Sequence, residues 1–345
     1  MEDIYIGKGP EEIPLEEIIY KQPAPPPVPT PVNKKKKRGK IRKLIKILLI
    51  IFIVFSLVIS AVSAVSGYTR NNLKSNQYIS KAELHNNPLI TNILLIGVDG
   101  NANESSRSDS MMLVSLDYMH MKIKMTSFLR DSWVNIPSKN TYHKLNAAYA
   151  YGGSQLITDT IEYNFKVDID HYIKVDFEMF TEIIDRLGGI DIEVTESEAK
   201  FITKTTRYSL SPGESVHLDG AKALVYSRIR KLDSDYMRTF RQRKVITAII
   251  NKIRKTSPSE LINIFRNVLP LLETDLNPIE LTGLLYKGGI AAMLFKIQQI
   301  RIPTDELMYA DYRGSEWVEI IDLEGCQNQI YDFIYKSYND KNSDN

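Results

Sequence analysis

The side chains best suited to chemistry flank the first two apolar runs of the patterned part of this sequence. Asp99 directly follows "NILLIGV" (residues 92–98), and open α/β sheets place ligand-binding groups at such strand ends. Arg107 and Asp109 stand two residues apart before "MMLVSL", so both point to one side of an extended segment. Two carboxylates that converge on one point suit a hard cation such as Mg²⁺. By spacing alone, a turn residue at Asp99 and a surface ion pair between Arg107 and Asp109 is the simpler interpretation.

A second candidate site is the basic stretch "RIRKLDSDYMRTFRQRK" (residues 228–244). Its candidate contacts are Arg228, Arg230, Arg238, Arg241 and Gln242. The first two share a face if their segment is extended, and the other three share a face if theirs is helical. The planar fork of arginine binds phosphate through two parallel hydrogen bonds, so several forks can neutralise a pyrophosphate. Taken alone, a solvated helix with Asp233 and Asp235 as internal partners fits this stretch at least as well.

A third group of polar residues lies between these two sites. Arg130 and Asp131 end the run "KIKMTSF" beside Trp133, on the same rim if three strands form a meander. Lys144 and Asn146 stand at the start of a helical pattern, where an anion is also favoured. A structural Arg–Asp pair and ordinary N-terminal polar groups are the simpler interpretation of both.

Composition excludes several classes of function. The net charge of +2 argues against a general basic field for nucleic acid, and no aromatic platform interleaves the arginines. The single cysteine, Cys326, excludes an internal disulfide and a cysteine-rich metal site. The sequence contains no GxSxG, HExxH, Walker or GxGxxG motif, and its five histidines show no ligand spacing. We therefore expect no nucleic-acid partner.

Strand and helix patterns alternate along the segment that must position the candidate residues. "NILLIGV" is continuously apolar, as in a central strand buried on both faces, and two runs at hairpin spacing follow it. A helical pattern at residues 144–165 is interrupted by Gly152 and Gly153. The remaining elements are predicted as a strand at 171–176, a helix at 177–189 with a glycine cap, a strand at 190–194, a helix at 218–226 capped by Asp219, a helix at 237–255 and a strand at 296–303. This alternation predicts a layered α/β/α domain with a central mixed sheet.

The sequence before this domain has the composition of a tail and a membrane anchor. Residues 1–43 are proline-rich and then polybasic, which predicts a disordered cytoplasmic tail that is a spacer or binds a cytoplasmic partner. Residues 44–67 contain an uncharged apolar run long enough to cross a ~30 Å hydrocarbon core. The basic block before the run predicts a cytoplasmic N-terminus and an extracytoplasmic domain. A cleavable signal peptide is the alternative, but the run exceeds the usual ~7–15 residues of its apolar region.

The predicted organisation therefore has five segments. They are the tail at 1–43, a single transmembrane signal anchor at 44–67, a polar stalk at 68–90, the folded domain at 91–338 and a disordered tip at 339–345. We expect the protein in the cell membrane, with its folded domain outside the cytoplasm.

In chain order, the motifs that carry these candidates resemble the LytR-CpsA-Psr family of bacterial cell-envelope proteins. The resemblance covers about residues 92–251, and the polybasic anchor is also similar to the family's. The motifs are "NILLIGVDG", "RSDSMMLVSLD", "MTSFLRD", "HKLNAAYAYGG", "VDFEMFTEIIDRLGGIDIEV", "LDGAKALVYSRIR" and "DSDYMRTFRQRKVI". Each motif alone is unspecific, whereas the ordered set is specific.

The resemblance implies a membrane-anchored phosphotransferase of a Gram-positive-type bacterium. Such proteins transfer an anionic glycopolymer (teichoic acid, capsule or similar) from polyprenyl pyrophosphate to peptidoglycan. By motif, Asp99 and Asp109 resemble the ligands of Mg²⁺, or of Mn²⁺ in its place, and Asp109, then Asp99, is the candidate base for the acceptor hydroxyl. The groups that resemble the pyrophosphate contacts are Arg107, Arg130, Arg228, Arg230, Arg238 and Gln242, with Arg241 and Asp235 as second-rank candidates. Lys231, Arg243 and Lys244 are expected to be solvated charge. The resemblance also implies an apolar tunnel for the polyprenyl tail.

The expected catalytic set consists of Asp109, Asp99, Arg107 and Arg130. Two departures from the family pattern, Ser110 in "RSDS" and Leu129 before the third-motif arginine, replace no ligand. Hydrolysis of the pyrophosphate without an acceptor is left open as a side activity. The alternative from another class is a non-catalytic, membrane-tethered receptor or regulator that binds polyprenyl phosphates or anionic polymers.

Overall fold

The computed structural model describes residues 69–99, 108–232, 234–269 and 272–336. The predicted tail, the predicted anchor, Arg107 and the predicted tip lie outside these described residues. Among the helices within them, none is both long and apolar enough to cross a bilayer.

The described residues form strands and helices in the order that the alternating patterns predict. The strands are β1 (Thr69–Arg70), β2 (Ile90–Val98), β3 (Ser108–Asp117), β4 (Lys122–Phe128), β5 (Ser132–Ile136), β6 (Thr141–Lys144), β7 (His171–Val175), β8 (Ile190–Val194), β9 (Gly213–Leu218), β10 (Glu273–Thr274), β11 (Lys296–Ile302), β12 (Met308–Arg313) and β13 (Glu316–Ile321). The helices are α1 (Ala147–Phe165), α2 (Phe177–Arg186), α3 (Glu196–Thr206), α4 (Gly220–Ser227), α5 (Asp235–Lys255), α6 (Pro258–Val268), α7 (Pro278–Leu294) and α8 (Leu323–Tyr335).

The central sheet has the strand order β1-β10-β7-β2-β3-β4-β11. β2, β3 and β4 form an antiparallel meander, whereas β7 runs parallel to β2 and β11 runs parallel to β4. The sheet is therefore mixed, which confirms the predicted fold class. β2 lies in the middle of this sheet. This position explains its continuous apolar run, because a strand that is covered on both faces has no side that faces water.

Helices cover both faces of this sheet. On one face, Leu94 and Ile96 of β2 pack with Ile157 of α1 and Ile330 of α8. On the other face, Ile93 packs in a core to which α2, α6 and α7 contribute apolar side chains. The alternation of Ile93, Leu94 and Ile96 between the two cores gives the three layers that the sequence predicts.

Two smaller sheets lie outside the central one. β8 forms as predicted at residues 190–194, but it pairs with β9 in a separate hairpin instead of joining the central sheet. β5, which contains Trp133, belongs to a second sheet of the order β12-β13-β5-β6. The predicted meander therefore ends before Arg130, and the chain turns there into another sheet.

Local signals in the sequence correctly mark several boundaries. The Gly152–Gly153 pair breaks the helical geometry of α1, and Gly153 has a φ of 61° that favours glycine. The Asp219 side chain accepts a hydrogen bond from the Lys222 backbone and so caps α4, as predicted. After α2 the chain continues through Gly188 at a φ of 71°, in agreement with the predicted glycine cap.

The described part of the predicted stalk packs against the domain. β1 pairs in parallel with β10, and the side chains of Ile79 and Leu84 are buried. Ser80 caps a short 3-10 helix at Lys81–Glu83. Residues 69–89 thus belong to the folded domain, because their few apolar side chains find partners that sequence periodicity does not reveal.

Candidate functional site

A cavity of about 480 Å³ lies at the C-terminal end of β2, between the sheet and helices α2, α4 and α5. Its polar lining comes from Asp109, Arg130, Arg228, Arg230, Arg238 and Gln242. Much of the remaining lining is apolar and includes Phe180, Phe201, Val245 and Ile246. The cavity therefore has both charged and apolar lining residues, at the sheet edge where ligand groups are expected.

Asp109 is placed in this cavity by a β-bulge. Gly97 pairs with Ser110 and Val98 pairs with Ser108, so Asp109 is the extra residue on β3. A bulge redirects the side chain of the inserted residue. Gly97 is also closely packed, since an added Cβ would stand 3.0 Å from the Ser110 Cβ. The local backbone, and not alternation along a regular strand, orients the candidate carboxylate.

Three arginines from three separate segments converge on Asp109. Arg130 Nη1 lies 2.8 Å from Asp109 Oδ1, and Arg230 Nη2 lies 3.5 Å from the same oxygen. Arg238 Nη2 donates to the Asp109 carbonyl oxygen at 3.2 Å. The tertiary structure therefore brings together Asp109, Arg130, Arg230 and Arg238, four of the residues that the sequence singles out.

Two further carboxylates complete the group. Asp235 Oδ2 lies 2.9 Å from Arg238 Nη2, and Asp235 Oδ1 lies 3.6 Å from Arg230 Nε. Asp131 Oδ2 lies 3.3 Å from Arg130 Nε. The mouth cluster comprises Asp109, Asp131, Asp235, Arg130, Arg230 and Arg238. Asp235 was only a second-rank candidate by sequence, although its place in the first turn of α5 aims it at the arginines.

Burial makes Arg238 unusual within the mouth cluster. The residue is only 2% exposed, and burial lowers the pKa of its guanidinium to about 10, with the charges of Arg130 and Arg230 adding to the effect. Its Nε and Nη1 atoms have no hydrogen-bond partner among the residues that the structure describes. Arg238 stays charged at neutral pH and has unused donors, so an anion near it would gain strong hydrogen bonds.

Arg130 shows the opposite electrostatic balance. Burial alone would lower the pKa of its guanidinium, but the charges of Asp131, Asp235 and Asp109 raise the pKa above its ordinary value. The difference arises because Arg130 contacts carboxylates through both Nη1 and Nε, whereas the buried Arg238 has one close carboxylate.

Arg228 and Gln242 line the same cavity by different means. Arg228 stands at the C-terminal end of α4, where its guanidinium stacks on the Phe177 ring at 4.1 Å. The segment of Arg228 and Arg230 is not a strand, so the condition for their shared face is not met, but both arginines line the cavity and Ile229 between them is fully buried. Gln242 Oε1 accepts a hydrogen bond from Ser110 Oγ at 3.0 Å.

Several predicted residues are not among those that line the cavity. Arg241 is buried away from the cavity lining, and its Nε donates to Glu198 Oε1 at 2.7 Å, so its role here is structural. Asp99 is exposed at the end of β2, next to the lining residue Val98. Lys144 pairs with Asp131 at 3.1 Å, and Asn146 precedes α1 without a side-chain cap.

Sequence reasoning also misjudged one basic residue near the site. Lys231 is exposed, in agreement with its assignment to solvated charge, and it also lines the cavity. Arg243 received the same assignment but is only 5% exposed; burial lowers the pKa of its guanidinium to about 10. No periodicity separates these residues from their neighbours, because adjacent helix positions face different surroundings.

Fold and site together define a class of protein: a three-layer α/β domain with an arginine-lined, otherwise largely apolar cavity at a strand end. The chain belongs to the LytR_cpsA_psr family, whose model matches residues 55–325. This confirms the family that the ordered motifs predict.

Individual relatives agree with this assignment. A protein of Bacillus subtilis (strain 168) named polyisoprenyl-teichoic acid–peptidoglycan teichoic acid transferase TagU is 37% identical over 162 residues, which are 46% of this chain and 51% of that protein. A protein of the same name from Bacillus anthracis (strain CDC 684 / NRRL 3495) is 34% identical over 185 residues, 53% of this chain and 57% of that protein. The chain thus spans about half the length of the curated relatives it matches.

Solved structures share the fold over a longer range. A structure described as TagT bound to LIIa-WTA superposes with a TM-score of 0.63 at 25% identity, covering 77% of this chain and 99% of that one. The crystal structure of B. subtilis TagT gives 0.61 at 26% identity, covering 76% and 99%.

Proposed function

We propose that the protein is a membrane-anchored phosphotransferase that moves an anionic glycopolymer, such as a teichoic acid or capsular polymer, from polyprenyl pyrophosphate to peptidoglycan. One observation carries the proposal: a single cavity is lined both by guanidinium groups and by apolar side chains. That combination matches an amphiphile with a charged head and a hydrocarbon tail. The names of the TagU relatives, which describe teichoic acid transferases, support the same reaction.

The pyrophosphate head binds at the mouth cluster in this proposal. Pyrophosphate oxygens offer acceptors to Nε and Nη1 of Arg238, which have no partner in the described ranges of the chain. Arg228 and Arg230 are exposed on the same side and add charge from the solvent edge. Charge-assisted bonds of this kind contribute about 1.5–3 kcal/mol each, so a few of them suffice for a specific head-group site. Arg107 stays a predicted further contact.

The hydrocarbon tail occupies the apolar part of the cavity. Phe180, Phe201, Val245 and Ile246 present side chains there that water solvates poorly. Each Å² of apolar surface removed from water contributes about 25 cal/mol, so an isoprenoid chain gains affinity in proportion to its buried length. A free pyrophosphate lacks this contribution, and we expect it to bind more weakly than the lipid.

Asp99 and Asp109 are the proposed ligands of Mg²⁺, with Mn²⁺ as a substitute. The donor chemistry fits, because Mg²⁺ prefers oxygen ligands and often takes one or two carboxylates together with substrate phosphates. Among the described residues, the ion pairs of Asp109 use Oδ1. When bound, the ion supplies positive charge for the oxygens that become negative as the pyrophosphate is cleaved.

The residues of the mouth cluster then have separate tasks. The acceptor hydroxyl oxygen attacks the phosphorus that carries the glycopolymer, the bond from this phosphorus to the bridging oxygen breaks, and polyprenyl phosphate leaves. Asp109 accepts the hydroxyl proton, with Asp99 as the second candidate. Arg130, Arg230 and Arg238 stabilise the negative charge that develops, since their positions are fixed before the reaction begins.

The proposed topology places this reaction outside the cytoplasm. Residues 44–67 anchor the chain in the cell membrane as a single span, residues 1–43 lie in the cytoplasm, and the folded domain lies near the lipid head groups. The support is the basic block before the apolar run. The proline-rich tail serves as a spacer or binds a cytoplasmic partner.

The test is Asp109→Ala in the full chain, purified in detergent and supplied with lipid-linked polymer, peptidoglycan and Mg²⁺. Loss of a proton acceptor lowers a rate by about 10²–10⁴-fold, so we expect transfer to fall by that factor while lipid binding persists. Reactions without peptidoglycan measure hydrolysis of the pyrophosphate. If wild-type protein binds the lipid but shows no metal-dependent transfer or cleavage, the enzyme proposal fails and the receptor alternative replaces it.

A further inference from the structure

The β12–β13 hairpin carries an exposed aromatic pair outside the cavity. Tyr312 and Trp317 stand opposite each other in the antiparallel register, and their side chains remain 60% and 49% exposed. Their rings meet edge to face, with centroids 5.2 Å apart at an angle of 84°. An exposed tryptophan and tyrosine side by side form an apolar surface that folding alone does not require.

The aromatic pair has a carboxylate beside it. Glu319 lies two residues along β13 from Trp317 and therefore on the same face of the strand. The edge-to-face contact with Tyr312 packs against one edge of the Trp317 ring. A ring that is already packed in this way loses less conformational entropy when a ligand stacks on its exposed face.

This surface adjoins the mouth cluster. Glu319 pairs in register with Ser132, and its backbone N–H donates to the Asp131 carbonyl oxygen at 2.9 Å. Burial raises the pKa of Glu319 above its ordinary value, the charges of Asp131 and Asp235 raise it further, and the charge of Arg301 opposes them. Glu319 therefore lies within electrostatic reach of the cluster, on the side of Asp131.

We propose that Tyr312, Trp317 and Glu319 form a saccharide subsite, the acceptor surface, that holds the glycan chain of peptidoglycan beside the mouth cluster. The proposal rests on the proposed function, which requires an acceptor hydroxyl close to the pyrophosphate. The apolar face of a pyranose ring stacks on an aromatic ring, and a carboxylate accepts hydrogen bonds from the sugar hydroxyls. The acceptor surface offers both, next to the groups that carry out the transfer.

The charges beside the acceptor surface are paired. Asp131 pairs with Arg130 at 3.3 Å and with Lys144 at 3.1 Å, and Asp235 pairs with Arg238 at 2.9 Å. Arg301 pairs with Asp305 at 2.8 Å and stacks on Tyr236 at 4.2 Å. Recognition of a saccharide at this surface therefore depends on stacking and hydrogen bonds more than on net charge.

The hairpin itself provides a matched control. Tyr309 lies on β12 and is 61% exposed, as Tyr312 is, but it pairs with Ile320 and so points to the opposite face. Tyr309→Ala removes the same kind of side chain from the same strand without touching the acceptor surface. Trp317→Phe retains a ring and separates the loss of stacking from a failure to fold.

The experiment titrates the full chain in detergent with a soluble oligosaccharide of alternating N-acetylglucosamine and N-acetylmuramic acid, measured by calorimetry. We expect Trp317→Ala and Tyr312→Ala each to weaken saccharide binding by about 10-fold, as loss of one stacked ring does for other ligands. Trp317→Phe should lose less, and Tyr309→Ala should bind as wild type does. Affinity for polyprenyl pyrophosphate should be equal in all variants.

Transfer assays separate this proposal from the proposed function. A raised KM for the acceptor with an unchanged KM for the donor supports the acceptor surface. If saccharide binding depends on Trp317 but no transfer activity is detected, the acceptor surface is supported and the proposed transferase function is rejected. Equal losses in Tyr309→Ala and Trp317→Ala overturn the subsite, as does unchanged saccharide affinity with an altered oligomeric state in sedimentation, which would make the patch a protein interface.

Discussion

Charged residues gather at both ends of β2, but the two groups differ in how they are paired. The mouth cluster lies at the C-terminal end. At the N-terminal end lies an acidic cluster of Asp159, Glu162, Asp168 and Asp170. There, Glu162 accepts hydrogen bonds from the Asn76 side chain at 2.9 Å and from the Ile169 backbone at 3.0 Å. Asp170 accepts one from the Asn92 backbone at 2.8 Å.

The acidic cluster stabilises the fold by hydrogen bonds between neighbouring segments. Glu162 of α1 binds the side-chain amide of Asn76, and Asp170 binds the backbone N–H of Asn92 at the start of β2. Burial raises the pKa of Asp159 to about 6 and that of Glu162 to about 7. The mouth cluster instead has guanidinium donors on Arg238, beside a cavity, that no other residue described by the structure accepts. A high density of charged residues therefore does not by itself indicate a ligand site. Hydrogen-bond donors that remain available beside a cavity are the stronger indication.

The largest expected contrast is between two buried arginines of the same helix. In Arg238→Ala, we expect lipid pyrophosphate affinity to fall by about 10–100-fold, because charge-assisted hydrogen bonds are lost. In Arg241→Ala, we expect the free energy of unfolding to fall by about 3–5 kcal/mol, because Glu198 is left buried and unpaired. Lipid titrations and chemical denaturation of both variants measure the two effects.

Arg241→Ala should bind the lipid as wild type does under conditions where it is folded. A loss of affinity equal to that of Arg238→Ala would contradict the assignment of Arg241 to structure and of Arg238 to the ligand.

The second contrast concerns pH and the acidic cluster. The folded protein holds a proton on Asp159 up to about pH 6, whereas the unfolded chain releases it near its ordinary pKa of 3.8. Stability from this group is therefore present at low pH and is lost as pH rises through about 6. Asp159→Asn removes the charge, so we expect the variant to be about 1–3 kcal/mol more stable than wild type at pH 7.5 and equal to it near pH 4.

Denaturation curves at the two pH values test this expectation, and transfer activity at neutral pH serves as the control. A gain in stability of the same size at both pH values would show that the charge of Asp159 is not its source. A loss of transfer activity in Asp159→Asn would show that the acidic cluster affects the mouth cluster at the other end of β2. That result would contradict the separate roles assigned to the two clusters.

The smallest expected effect comes from the exposed arginines of the mouth. Arg228→Ala combined with Arg230→Ala should weaken lipid pyrophosphate binding by about 10-fold, because solvent and salt screen exposed charges. Binding at low and high salt measures the contribution. Unchanged affinity of the double variant at low salt would remove these two residues from the head-group site and leave Arg238 as its main contact.

Much of the fold could be predicted because its signals are local. The apolar run of β2, the glycine pair of α1 and the cap at Asp219 each act within a few residues. The second sheet and the packed residues 69–89 escaped prediction, because their partners lie far away in the chain: β13 pairs with β5, and β1 pairs with β10.

The same difference between local and long-range information applies to the candidate site. The sequence supplied Asp109, Arg130, Arg230 and Arg238 as residues of the right chemistry in family order, and the structure brings all four together. It gave Asp235 and Arg241 the same second rank, since both stand near Arg238 on one helix, whereas the structure pairs Asp235 with Arg238 and Arg241 with Glu198. Helical spacing states which residues share a side, but it does not state what that side meets.

The sequence by itself determined the family, the alternation of strands and helices, and the supply of carboxylates and guanidinium groups. Only the tertiary structure decided which of them meet: the bulge at Asp109, the buried donors of Arg238 that lack a partner among the described residues, and the pairing of Arg241 with Glu198. The physical reason is that charge and hydrogen bonding act between atoms a few Å apart, and that proximity arises here between residues up to about 130 positions apart in the chain.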